Sequence, residues 1–293
     1  MNSAFPEEVK IFEVGPRDGL QNEAEFIPTE KKIEFVNMLT DAGCKWIEVT
    51  SFVHSKWVPQ MRDAKEVFQR IRKKEGVVYN ALIPNMKGLE LAIEAGLNEV
   101  VTIMSSSESH NKKNLNMDIA TSLKQIEEIN KVAREHNIKV RSYIATSFGC
   151  PMEGEIPVEK VVEIAQALES FGSYEISLGD TTGMADPILS YKVAKSVKDS
   201  LKKADLAVHF HQSDGIEFAN TLACLEAGIR IFDGAAGGLG GCPYAPGATG
   251  NTATETLVEM FHRMGIKTGI DLEKIKECGK YAKSLTGTSC CSA

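Results

Sequence analysis

The sequence predicts a single α/β domain folded as a TIM barrel, eight parallel strands each followed by a helix, with one extra C-terminal helix. Three observations predict it. Short apolar runs alternate with amphipathic stretches along the whole chain, no Pro-, Ser- or Gly-rich linker divides it, and polar residues gather at the C-terminal ends of the runs. The candidate strands are Val9–Val14, Trp46–Phe52, Val77–Ile83, Glu99–Ser105, Lys139–Thr146, Tyr174–Leu178, Leu206–Phe210 and Ile229–Phe232. Each is rich in β-branched or aromatic residues and is followed by a polar or Gly-bearing loop.

Between the strands, Glu30–Ala42, Met117–His136, Val158–Phe171 and Pro187–Lys203 carry helical periodicity. Asp186-Pro187 is a helix start, with Asp as N-cap and Pro in the first turn. Ala95-Gly96, Phe171-Gly172 and Ala227-Gly228 are helix ends, where Gly accepts the left-handed conformation. The barrel spans about residues 9–268, and Asp271–Leu285 is a helix packed outside it, within about 271–286. An open doubly wound sheet competes with the barrel. Its phosphate loop would follow the first strand as G-x-G-x-x-G, and the chain has Gly15-Pro16-Arg17-Asp18-Gly19 there instead. Phe35, Phe68, Met104 and Met117 fit core positions.

The 293 residues are 43% hydrophobic and 25% charged, enough for a sizeable core and unlike a disordered chain. A net charge of -7 argues against nucleic acid or an anionic membrane as partner. The start, Met1 to Glu8, lacks a secretory signal pattern, and no apolar run approaches the roughly 18 residues that cross a bilayer. The seven cysteines, Cys44, Cys150, Cys224, Cys242, Cys278, Cys290 and Cys291, are scattered and odd in number, which reads as reduced thiols in a cytoplasmic protein.

In a TIM barrel the strands' C-terminal ends form the active site. Those ends deliver Arg17 and Asp18, Glu48 with Thr50 and Ser51, Asn80, Ser105 to Ser107, Thr146 and Ser147, Asp180, His209 and His211, and Asp233. Side chains two apart on a strand share a face, so His209 and His211 can both aim into the mouth, where neutral imidazole is a common metal ligand. The plainer alternative is two hydrogen-bonded histidines. Asp18 is the first choice of carboxylate to complete a mixed site. Arg17 is either half of an ordinary ion pair with its neighbour or a cation aimed at a developing oxyanion. Glu48, inside the apolar run Trp46-Ile47-Glu48-Val49, must be paired or catalytic, since an unpaired buried carboxylate is costly. Asp180 either takes part or caps the following turn.

The long segment Gly234–Gly250 holds five glycines between Gly237 and Gly247 around one thiol, Cys242, and reads as a mobile lid that could carry a proton donor. An incidental thiol on a flexible loop is the competing reading. Beyond it, Asn251 opens a helix, with Thr252-x-x-Glu255 as a capping box; Asn251 either precedes that cap or serves as an amide ligand. Lys112-Lys113-Asn114 is a solvated turn or, on the catalytic face, a contact for the phosphates of a large anionic substrate.

These residues together resemble the 3-hydroxy-3-methylglutaryl-CoA lyases of the DRE-TIM metallolyase superfamily. The matching segments are Val14-Gly15-Pro16-Arg17-Asp18-Gly19-Leu20-Gln21-Asn22-Glu23, Glu48 with Thr50-Ser51-Phe52, Lys56-Trp57-Val58-Pro59-Gln60-Met61, Lys112-Lys113-Asn114, and Gly149-Cys150-Pro151-x-Glu153-Gly154. Glu175-Ile176-Ser177-Leu178-Gly179-Asp180-Thr181, His209-x-His211, Gly238-Leu239-Gly240-Gly241-Cys242-Pro243-Tyr244-Ala245 and Gly250-Asn251 continue the match, in order, over about residues 9–285. The resemblance implies Mg²⁺ or Mn²⁺ held by Asp18, His209, His211 and Asn251, and retro-Claisen cleavage of an acyl-CoA bearing a tertiary hydroxyl. It implies catalytic roles for Arg17, Glu48, Asp180, His209 and Cys242, substrate contacts from Arg17, Gln21, Lys112, Lys113 and Asn114, and an acyl-CoA partner, with a homodimer compatible. One departure stands beside the metal pair: the family follows its second histidine with Asp-Thr, where this chain has Gln212-Ser213, then Asp214. That moves charge from the support of His211 and bears on the acyl group accepted. The short tail, Ser289-Cys290-Cys291-Ser292-Ala293, carries over no thiol regulation. A related aldolase or condensing enzyme on the same barrel, and a non-catalytic barrel that binds metal and acyl-CoA, are the alternatives.

Overall fold

Hydrophobic periodicity and helix-capping residues dictate most of the elements seen in the computed structural model, which describes residues 5–241 and 250–286. The strands are β1 (Lys10–Glu13), β2 (Trp46–Ser51), β3 (Val78–Leu82), β4 (Glu99–Ser105), β5 (Lys139–Ala145), β6 (Glu175–Asp180), β7 (Asp205–Phe210) and β8 (Ile231–Gly234). They pair in parallel with their sequence neighbours, and β8 closes on β1 through Lys10 opposite Ile231 and Phe12 opposite Asp233. This is the expected TIM barrel.

The helices are α1 (Thr29–Asp41), α2 (Ala64–Arg70), α3 (Met86–Ala95), α4 (Glu108–Leu115), α5 (Ile119–Glu135), α6 (Val158–Phe171), α7 (Pro187–Ser200), α8 (Ile216–Glu226), α9 (Thr254–Arg263) and α10 (Leu272–Leu285). Helix α10 is the expected extra helix and lies against α1 and α9. Asp186 caps α7 by accepting from the Ile188 and Leu189 amides at 2.8 and 2.9 Å. Gly96 and Gly172 close α3 and α6 at φ 82° and 115°, a region open to glycine at little cost.

The main apolar core fills the space between strands and helices, with Phe35, Phe68 and Met104 in it as expected. Met117 departs from expectation: it is half-buried and precedes α5, whose start is fixed by Asp118 accepting from the Thr121 amide. The barrel interior is polar to a degree unusual for a closed sheet. Arg141, Glu175, Asp233, Glu48 and Asn80 are all buried there beside two small apolar clusters, Phe12–Val14–Ala235 and Leu82–Val101–Tyr143.

Three local expectations are corrected. Strand β8 runs two residues later than its apolar run, so Asp233 lies inside it. Strand β6 extends to Asp180, two residues past Leu178. Thr252-x-x-Glu255 is not a capping box. The Thr252 hydroxyl donates to the Phe210 carbonyl on β7, the Glu255 carboxylate accepts from the Gly237 amide, and α9 starts after Ala253 with no side-chain cap. Asn251 therefore does not open a helix; it forms a bridge with His211.

Candidate active site

The first part of the site is a turn. Beyond β1, Gly15–Gly19 makes one wide helical turn in which the Val14 carbonyl accepts from the Arg17, Asp18 and Gly19 amides at 3.1, 2.8 and 3.4 Å. Pro16 suits the start of such a turn. Gly15 is required by closeness: a Cβ there would stand 2.5 Å from Glu13 Oε1, which accepts from the Gly15 amide. The turn presents Arg17 and Asp18 side by side into the mouth.

Arg17 is buried and clamped between two carboxylates. Its Nε donates to Glu48 Oε1, and its Nη1 donates to Asp18 Oδ1 at 2.5 Å. Gln21 Nε2 donates to the same Asp18 oxygen at 2.8 Å. Burial alone would raise the Asp18 carboxyl; Arg17, His209 and His211 reverse this and hold it at about 2. Burial also pushes Glu48 up, and Arg17, shared with Asp18, only partly offsets it. Glu48 Oε2 is buried with no hydrogen-bond partner.

Opposite stand the histidines. Their ring centroids are 5.2 Å apart, and His209 Nε2 lies 4.0 Å from Asp18 Oδ2. Asp18, His209 and His211 each offer a ligand atom within 4.8 Å of the others. Asn251 reaches the same place from beyond β8. Its Nδ2 donates to Asp18 Oδ2 and the Leu239 carbonyl at 2.9 and 2.8 Å, leaving Oδ1 buried without a hydrogen-bond partner. One carboxylate, two imidazoles and an amide oxygen form a donor set that fits a divalent cation of the hard to borderline kind. The unsatisfied amide oxygen is the sort of atom a cation would satisfy.

The other sequence candidates fall as follows. Asp180, at the end of β6, accepts from the Met184 and Ala185 amides at 3.0 and 3.1 Å, so it does cap the following turn; burial raises its carboxyl, and the two amides act against this. Lys112, Lys113 and Asn114 are exposed along the second half of α4, a helix rather than a turn. Cys242 lies outside the described residues, as do Cys290 and Cys291. Gln212 donates from Nε2 to the Asn251 and Gly238 carbonyls at 2.9 and 3.3 Å, stitching the two stems that flank residues 242–249.

Sequence reasoning left two side chains unassigned. Asp233 was visible as a polar strand end, yet its contact with His209 crosses from β8 to β7. Tyr143, read only as part of a strand, packs edge-on against the His209 ring at 5.8 Å and lies 6.0 Å from the Arg17 guanidinium. Thr146, just past β5, holds φ 58°, a strained value for a β-branched residue; its Oγ1 lies 3.2 Å from Ser106 Oγ at the mouth.

The HMGL-like family model matches residues 8–281. Hydroxymethylglutaryl-CoA lyase YngG of Bacillus subtilis is 47% identical over 283 residues, covering 97% of this chain and 95% of that protein. The crystal structure of the Bacillus subtilis HMG-CoA lyase superposes with a TM-score of 0.94 at 46% identity, over 98% of this chain and 97% of that one. An HMG-CoA lyase from Acinetobacter baumannii, solved with coenzyme A and 3-methylmalate, gives 0.92 at 39% identity, over 100% of this chain and 95% of that one. A family model spanning nearly the whole barrel and near-complete alignment at this identity place the chain in the HMGL-like family.

Proposed function

We propose that this protein is a divalent-metal-dependent carbon–carbon lyase that cleaves 3-hydroxy-3-methylglutaryl-CoA to acetoacetate and acetyl-CoA. The observation that carries this reading is the convergence of Asp18, His209 and His211 within 4.8 Å beside the buried Arg17, in a barrel matched end to end by lyases of that name. The coenzyme A complex of the Acinetobacter relative supports an acyl-CoA substrate. Asp18, His209, His211 and Asn251 would hold Mg²⁺ or Mn²⁺. Bound there, the cation supplies Lewis acidity toward a substrate oxygen.

In the reaction the tertiary hydroxyl loses its proton, the bond between C2 and C3 breaks, and C3 becomes the ketone of acetoacetate. The released electron pair forms the enolate of acetyl-CoA, which takes a proton at C2. Arg17 faces the enolate oxygen, its charge held in place by Glu48 and Asp18, so the stabilising field is preorganised. Asp180, with its raised carboxyl beside His209, receives the hydroxyl proton. Cys242 returns one to C2, and Lys112, Lys113 and Asn114 meet the phosphates of the CoA. The described cysteines are all free, in keeping with the cytoplasmic location read from the sequence, and no described helix is long and apolar enough to cross a membrane.

Incubating the protein with Mg²⁺ and 3-hydroxy-3-methylglutaryl-CoA should release acetoacetate, and chelation should stop it. Failure to release it, with cleavage of another acyl-CoA, would overturn the substrate assignment. Exchanging Cys242 for Ser should lower turnover by about 10²–10⁴-fold, the worth of a positioned proton donor, while Mn²⁺ still binds. Unchanged turnover would remove the thiol from the mechanism.

A further inference from the structure

A metal-binding imidazole must offer one ring nitrogen as a lone pair, so its other nitrogen carries the proton and needs an acceptor. His209 presents its two nitrogens to two different carboxylates. Nε2 faces Asp18 at 4.0 Å, on the side of the proposed cation, and Nδ1 faces Asp233 Oδ2 at 3.5 Å, on the side of the barrel interior. Asp233 is otherwise saturated with donors. Arg141 Nη2 reaches Oδ1 at 2.6 Å, while the Tyr143 hydroxyl and Ser177 Oγ reach Oδ2 at 2.7 and 3.2 Å.

Asp233 is also the upper end of a column of charges. Lys10 Nζ lies 2.6 Å from Glu175 Oε2, Arg141 Nε donates to the other oxygen of Glu175, and Arg141 Nη2 continues to Asp233. The signs alternate along this column, from Lys10 through Glu175 and Arg141 to Asp233, and sum to zero. An alternating neutral column can stay charged in the interior, where a lone carboxylate would be costly. The column draws on β1, β6, β5 and β8 and ends under His209 on β7. Glu175 and Arg141 are fully buried, and Lys10 stands at the start of β1, the end of the strand away from the mouth.

We propose that Asp233 is a positioning residue for the metal centre: it accepts a hydrogen bond from the Nδ1–H of His209, fixes the ring, and leaves Nε2 as the ligand atom. Arg141, Tyr143 and Ser177 hold the carboxylate for that task. This rests on reading the mouth as a metal site, so the test separates the two claims.

Two measurements decide it. In metal-free wild-type protein with ¹⁵N-labelled histidine, long-range ¹H–¹⁵N spectra at pH 8 should show His209 as the Nδ1–H tautomer, its signals identified by their loss in His209→Gln. An Nε2–H tautomer would overturn the proposal whether or not metal binds. In the second, Mn²⁺ dissociation constants are measured by electron paramagnetic resonance for wild type, Asp233→Asn and Tyr143→Phe. Asp233→Asn should weaken Mn²⁺ binding by about 10–100-fold, the usual effect of losing a ligand's carboxylate partner. Tyr143→Phe, which removes one donor without changing shape or charge, should weaken it less and serves if Asp233→Asn does not fold. Equal dissociation constants in wild type and a folded variant would overturn the positioning role, whereas no Mn²⁺ binding by wild type would overturn the metal site itself.

Discussion

Glu13 shows how one buried carboxylate can organise a site it never enters. Its two oxygens accept from the Gly15 amide at 2.8 Å, the Ala236 amide at 2.9 Å and the Thr254 hydroxyl at 2.6 Å. It thereby ties together the turn that carries Asp18, the turn after β8 and the first residue of α9. All three partners donate, which favours the anion, yet burial outweighs them and lifts the carboxyl to about 7 from 4.5. A raised acid takes up a proton on folding between those two values. Stability therefore falls as pH rises through that window and levels off above it. Glu13→Gln cannot ionise and lacks this slope. Urea unfolding in chelator at pH 5 and pH 8 should show the wild type losing about 2–3 kcal/mol relative to the variant, from a shift of this size. Parallel behaviour of the two proteins would mean that Glu13 keeps its charge throughout.

At the scale of elements, hydrogen bonds from several neighbours hold the described stems of the returning segment between β8 and α9. Gln212 supplies three of them: its amide donates to the Gly250 carbonyl at 2.8 Å and its side chain to the carbonyls of Asn251 and Gly238. Removing the side chain in Gln212→Ala should cost about 1–2 kcal/mol, two hydrogen bonds' worth, and speed amide exchange at Asn251. Unaltered exchange there would show that backbone bonds alone hold the stem. The same segment marks the limit of what sequence pattern can reveal. The alternation of strand and helix made the barrel legible, as did the end of each strand at which polar side chains collect, because both follow from local periodicity. Asp18 and the histidine pair were legible for the same reason. The bond from Thr252 to Phe210 was not, since a hydroxyl that satisfies a neighbouring strand carries the same letter as one that caps a helix. Nor was the meeting of Asp233 with His209, set by barrel register and not by spacing. Cys242 is the converse case, conspicuous in sequence and outside the described structure.

For the molecule as a whole, one buried column of charges is balanced, and the group of charges at the mouth above it is not. Lys10, Glu175, Arg141 and Asp233 cancel below the mouth, whereas Arg17 alone faces both Asp18 and Glu48 above it. Two carboxylates, Glu48 buried and Asp18 half-buried, against one guanidinium leave excess negative charge at the mouth, together with two imidazoles and the unsatisfied Asn251 Oδ1. A divalent cation removes that excess, and only the folded barrel brings β1, β7 and the stem of α9 close enough to bind it. Metal binding must then stabilise the fold by mass action, by about 2.7 kcal/mol when free metal is a hundredfold above its dissociation constant. For a chain of 293 residues this corresponds to a rise in Tm of roughly 4–5 °C. Scanning calorimetry of chelated protein with and without excess Mn²⁺ should show that rise, and Asp18→Asn should abolish most of it while unfolding as a single transition. An equal rise in Asp18→Asn would place the cation elsewhere. No rise in the wild type would mean that the folded mouth binds the ion no better than the unfolded chain does.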